Sequence, residues 1–136
     1  MAMEQYKIEY LFLADAASVD NFGKLNVLGI FQNIFLSKLP GSILKFVLIC
    51  SILVPKPNKA FQIDIKIIDN KGDKVETKLP LSFPFKPQEG NKDNKINLMI
   101  NLINLQFNSF GKYEIELLVD DNKIGSTFLE VSLKKS

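Results

Sequence analysis

The 136-residue chain contains no histidine, no tryptophan and no arginine, so all 17 of its basic residues are lysines, and it has a single cysteine. Without histidine there is no Ser-His-Asp triad, no Cys-His pair and no imidazole to hold a metal. Without arginine there is no bidentate fork for phosphate or guanine. One cysteine, Cys50, cannot form an internal disulfide, which suits a reducing cytoplasm. No apolar run reaches the roughly 18 residues of a membrane helix. Glu4, Lys7 and Glu9 interrupt the stretch where a signal-peptide core would lie. The net charge of +2 is too small to argue for nucleic acid. An AT-rich genome would leave the same excess of Lys, Asn, Ile and Phe, but the chemical exclusions hold whatever their origin.

What remains is ordinary for a folded domain: 46% hydrophobic and 24% charged residues. One domain is expected over residues 1–136, with Met1-Ala2-Met3 as start or cloning residues. Short alternating patterns separated by turn signals are the mark of an all-β protein. Phe61, Ile63, Ile65 and Ile67 alternate with Gln62, Asp64 and Lys66, giving one buried and one wet face. Further strands are expected over Tyr6–Ala14, Lys24–Leu36, Ile43–Val54, Val75–Leu81, Ile96–Leu105, Tyr113–Val119 and Leu129–Leu133. Loops are expected at Asp15–Gly23 and Phe83–Asn94. The whole reads as a two-layer antiparallel β-sandwich of about eight strands, immunoglobulin-like or C2-like, with no helix. Gly111-Lys112-Tyr113, at a strand start, matches the tyrosine corner of immunoglobulin-like sandwiches, whose hydroxyl bonds the backbone upstream.

Two segments carry a resemblance. Tyr10-Leu11-Phe12-Leu13-Ala14-Asp15-Ala16-Ala17 is followed by Gly23-Lys24-Leu25-Asn26-Val27-Leu28-Gly29-Ile30-Phe31, and Gly111, Tyr113, Val119, Asp120, Gly125 and Val131 recur near the end. This arrangement resembles an uncharacterised family of small bacterial single-domain β-sandwich proteins. The resemblance implies a β-sandwich and a bacterial or phage origin; it implies no activity and carries over no functional residue.

Three groups of residues are candidates for function. Leu11, Leu13, Ile30, Ile34, Ile43, Val47 and Ile49 fall, by alternation, on faces opposite to Tyr10, Phe12, Phe31, Phe46 and Leu48. An apolar face turned away from the core must be covered, by a loop, by bulges that swap faces, or by protein, and these seven residues are the candidate interface. If every strand reverses, the loops bearing Asp15, Asp20, Asp93, Asp120 and Asp121 share one end, where clustered carboxylates could hold a small molecule, carbohydrate or calcium. Lysines in the same loops oppose a cation, and Asp15 alone serves equally well as a loop cap. Cys50 lies on an apolar face without a base and reads as core. No pair of carboxylates is singled out for catalysis. The expectation is a non-catalytic module that binds protein, itself or another, with a small-molecule-binding sandwich as the alternative. No cofactor, metal or membrane is expected, and nucleic acid has little support.

Overall fold

Alternating burial becomes strand structure wherever one face can be covered. Phe61, Ile63, Ile65 and Ile67 are all buried, whereas Lys66 between them is exposed. In the computed structural model, which describes residues 6–55, 59–79, 81–86 and 95–135, this rule builds nine strands and no helix. They are β1 (Lys7–Val19), β2 (Leu25–Phe31), β3 (Asn33–Leu36), β4 (Gly41–Leu53), β5 (Phe61–Ile68), β6 (Ser82–Phe85), β7 (Lys95–Phe107), β8 (Gly111–Val119) and β9 (Asn122–Leu133). A four-stranded sheet in the order β2-β1-β4-β7 lies on a five-stranded sheet in the order β3-β9-β8-β5-β6.

The inner faces meet in one apolar core. Leu13, Phe46, Leu48, Cys50, Ile52 and Leu102 come from the first sheet, and Ile63, Ile65, Tyr113, Ile115, Leu117, Leu129 and Val131 from the second. Truncating a Leu or Ile there to Ala costs about 2–5 kcal/mol, because the lost transfer energy is joined by a cavity. The expected tyrosine corner is present. Buried Tyr113 donates its hydroxyl to the Ser109 carbonyl at 2.8 Å, beside Gly111 at a φ of 128°. It satisfies a backbone acceptor at the bend between β7 and β8, where no ladder partner exists.

Several boundaries differ from the sequence expectation, for physical reasons. The run Lys24–Leu36 is two strands, because the chain crosses between sheets at Gln32. β3 pairs parallel with β9 (Ile34↔Val131), and the Gln32 carbonyl accepts from Glu130 N–H at 2.8 Å. The sandwich is therefore not purely antiparallel. β1 continues beyond Ala14 to Val19, since β2 supplies it with partners as far as Leu25. The segment expected as a strand over Val75–Leu81 forms no strand among the described residues, the isolated bridge Ile68↔Lys74 lying just before it. Its Val75, Leu79 and Leu81 pack on the core instead, and the ladder with β5 is taken by Ser82–Phe85.

The largest correction concerns which side of β1 faces inward. The register of β1 against β4 shifts between Ile8 and Tyr10. A bulge there inserts one residue and exchanges the two faces beyond it. Ile8, Leu11 and Leu13 pack with the core, and Tyr10, Phe12 and Ala14 point outward. Leu13 is therefore a core residue and Leu11 packs against the core. Ile34 is buried because β3 joins the five-stranded sheet opposite Val131, and Ile43 packs against the core beyond the break in the β4–β7 ladder between Ile43↔Leu105 and Lys45↔Ile103. All four are contrary to their expected outward orientation.

Candidate functional site

Outside the main core, the four-stranded sheet carries a second apolar cluster on its outer face. Ala14, Val47 and Ile49 form it, with Tyr10, Phe12, Ala17, Leu25 and Val27 packed against it. The register explains the assembly. Phe12 stands opposite Ile49 and Ile49 opposite Met99; Ala14 stands opposite both Val47 and Ile30. Directly opposed residues share a face, so their side chains form rows across the sheet. Val47 is 2% exposed and Ile49 1%, although no second layer of described residues lies above them. Around them Met99 and Ile103 are exposed, with Ile30 at 63% and Leu44 at 77%.

The face has a polar border at its lower end. Tyr10 donates its hydroxyl to Asn97 Oδ1 at 3.0 Å, and its ring lies 5.5 Å from that of Phe12. Buried Ser51 donates to Glu9 Oε1 at 3.1 Å, and Glu9 pairs with Lys95 at 2.7 Å. The hydrogen bond from Lys95, with that from Ser51, holds the Glu9 carboxyl below its ordinary value, and the same bond raises Lys95.

The outer face of the five-stranded sheet has the opposite character. Lys123 Nζ lies 3.3 Å from Glu114 and 3.0 Å from Glu116, and Ser126 donates to Glu114 at 2.9 Å. The Ser126 hydroxyl, ahead of Lys123, lowers the Glu114 carboxyl, while both glutamates raise Lys123. Lys112 sits 4.1 Å above the Phe128 ring, which remains 44% exposed. Charged side chains dominate this surface, with Phe35 also exposed on it.

Of the seven sequence-predicted interface residues, Ile30, Val47 and Ile49 lie on the outer face, and the other four are in or against the core. Sequence reasoning missed Tyr10, Phe12, Ala14 and Met99. The signal was Glu9: if strict alternation put Leu11 and Leu13 inward, Glu9 would follow them, so a bulge after Ile8 is needed to leave it in water.

The predicted carboxylates are not gathered. Asp20 and the turns at 37–40, 69–73 and 108–110 lie at the end where Gly41 pairs with Phe107. Asp120 and Asp121 lie at the opposite end, where β5 begins: Gln62 N–H donates to Asp120 Oδ1 at 2.9 Å. The crossing from β2 to β3 adds one reversal and thereby moves every later loop to the other end. Asp15 is within β1, its carboxylate over the Cα of Gly29, and Asp93 lies outside the described residues. The aspartates serve the backbone instead. Asp20 accepts from Phe22 and Lys24 N–H, and Asp69 accepts from Lys71 and Asp73 N–H, all at 2.9 Å. These are two copies of one Asp-Asn-x-Gly-x turn, with Gly23 and Gly72 at positive φ. Those backbone bonds, Lys24 first, lower the Asp20 carboxyl. Among the described residues no three His, Cys, Asp or Glu stand where they could hold a metal ion. Cys50 is fully buried, and desolvation pushes its thiol up to about 12.

Residues 9–132 match a protein family described as a family of unknown function (DUF6941). No curated protein matches the chain. Among solved structures, it is similar to the alkylpurine DNA glycosylase AlkC of Pseudomonas fluorescens bound to DNA containing an abasic site analog, at 14% identity and a TM-score of 0.57. That likeness covers 96% of this chain and 31% of the glycosylase chain, so the protein spans about a third of that relative, and the likeness is one of fold. An immunoglobulin-like protein from Pseudomonas aeruginosa aligns at 9% identity and a TM-score of 0.40, covering 93% of this chain and 96% of that one.

Proposed function

We propose that this chain, which belongs to that family of unknown function, is a non-catalytic interaction module that docks protein on the outer face of its four-stranded sheet. One observation carries the reading: Val47 and Ile49 are buried on an outer face whose surrounding positions, Ile30, Leu44, Met99 and Ile103, are exposed and apolar. An apolar patch with a polar border is the anatomy of a protein interface. Such an interface would cover about 800 Å² of this face. The single buried thiol needs no oxidising compartment, and the reading adopts a bacterial or phage cytoplasmic setting. No helix among the described residues is long and apolar enough to cross a membrane.

The test is affinity capture from the native host with wild type, with I30D/L44D, and with K112E on the other sheet. Proteins held by wild type and K112E but lost by the double variant support the reading. Capture that survives the double variant unchanged would overturn it.

A further inference from the structure

A sheet edge is a row of unpaired N–H and C=O groups, and natural sandwiches blunt such edges with short strands, proline, glycine irregularities or charge. Three of the four edges here follow that rule. β3 and β6 are four residues each, β6 contains Pro84, and β2 carries Gly29 at a φ of 74°. β7 does not. It runs for 13 residues, Lys95 is its only charged residue, and it has no proline or glycine. Among the described residues no backbone hydrogen bond reaches it from outside its ladder with β4. Its regular part ends at Asn104, whose φ of 54° breaks the ladder between Lys45↔Ile103 and Ile43↔Leu105. The regular edge is therefore Lys95–Ile103, and its midpoint is Met99.

Beside this edge lies an apolar groove of about 320 Å³, open between the two sheets and lined by Ile63, Phe83, Phe85, Leu98 and Ile100. A strand added to β7 would turn alternate side chains into it, as β-augmentation requires.

We infer that the added strand is β7 of a second copy, paired antiparallel about a two-fold axis at Met99, joining the two four-stranded sheets into one. The register is self-complementary. Asn97 of one copy stands opposite Asn101 of the other, twice, and Lys95 stands opposite Ile103, so no like charges meet. Asn97 already uses its Oδ1 to accept from Tyr10, which leaves its amide N–H groups to donate across the axis. Among the described residues Asn101 has no side-chain hydrogen-bond partner, so its amide oxygen is available to accept. On the inner side Leu98 meets Ile100, and the two grooves close against each other. The pairing concerns the edge, and the face reading stands apart from it: Ile30 and Leu44 lie away from the axis and remain open for another protein.

The experiment is sedimentation at ~10 μM, joined to disulfide mapping of single-cysteine additions under mild oxidation with diamide; Cys50, fully buried, does not compete. Edge pairing places the two copies of residue 99 within disulfide reach. Wild type is expected to sediment as a dimer, and M99C to cross-link to itself. I103C should fail to cross-link to itself but link to K95C when the two proteins are mixed. N97K/N101K should give monomer, and N97D/N101K should restore the dimer by opposing Asp to Lys across the axis. Exposure of Asn97 and Asn101 makes all of these foldable substitutions. A monomeric wild type, or a dimer in which I103C self-links and M99C does not, would overturn the edge pairing. Neither result touches the capture experiment, where the I30D/L44D variant leaves β7 unchanged and reports on the face alone.

Discussion

The two outer faces of this sandwich obey different rules, although both belong to sheets of similar construction. On the five-stranded sheet the outward positions of β8 and β9 are Lys112, Glu114, Glu116, Ser126, Phe128 and Glu130, with Lys123 bridging Glu114 and Glu116. On the four-stranded sheet the corresponding positions are Tyr10, Phe12, Ala14, Val47 and Ile49. The first face meets water mainly with charged side chains, Phe35 and Phe128 standing exposed among them. The second buries Val47 and Ile49 under their own neighbours and leaves a margin of apolar side chains in solvent. The difference shows that a sandwich requires apolar alternation only on its inner faces. An outer face that is also apolar is surplus to that requirement, and under the proposed reading its exposed margin is what a partner covers.

That contrast can be broken by mutation. The largest effect should come from the fully buried outward residue: Ile49→Ala is expected to cost about 2–5 kcal/mol in denaturant unfolding, whereas Lys66→Ala on the opposite outer face should change stability by no more than about 0.5 kcal/mol. Equal costs would mean that the two faces are energetically alike. Next comes Gly29→Ala on β2, expected to lose about 1–2 kcal/mol because an L side chain is strained at its φ of 74°. The Asp15 carboxylate already fills the space a Cβ would take, so D15G/G29A should recover part of that loss.

Smaller effects sharpen the comparison. Leu28→Lys with Ile30→Lys should leave stability within about 0.5 kcal/mol yet visibly reduce binding of a hydrophobic dye, since these side chains are exposed at no structural gain. The smallest effect is pH-dependent and acts on both faces. Glu9 and Glu114 are each held below the ordinary carboxylate value in the folded state. A depressed folded pKa contributes stability above the unfolded value, near 4.5, that is lost as pH falls through the folded value. Melting temperatures followed from about pH 6 to 3 should therefore decline in acid. Glu9→Gln and Glu114→Gln should each flatten that decline, and added salt should shrink both contributions because these groups are exposed.

Much of the fold was legible in local pattern. The alternation Phe61–Ile67 predicts β5, Gly111-Lys112-Tyr113 predicts the tyrosine corner, and an unbroken apolar face around Cys50 predicts its burial. Each depends on neighbours a few residues away, which a period of two or a turn signature encodes. The candidate face was harder to read. Leu11 and Leu13 alternate with Tyr10 and Phe12, so both faces of β1 are apolar and alternation alone cannot say which turns inward. The loop-end aspartates failed for a related reason, since one unseen crossing at Gln32 reassigned every later loop.

The sequence by itself determined that this protein is all-β, without histidine or arginine chemistry, and with more apolar strand surface than one core needs. Those properties follow from composition and from side chains alternating along an extended backbone. Only the tertiary structure decided which surplus is core and which is outer face, which carboxylates share an end, and which long edge is unpaired among the described residues. Each depends on a bulge, a crossing or a strand order, and these are set by pairing between segments distant in the chain, where a single inserted residue exchanges inside for outside.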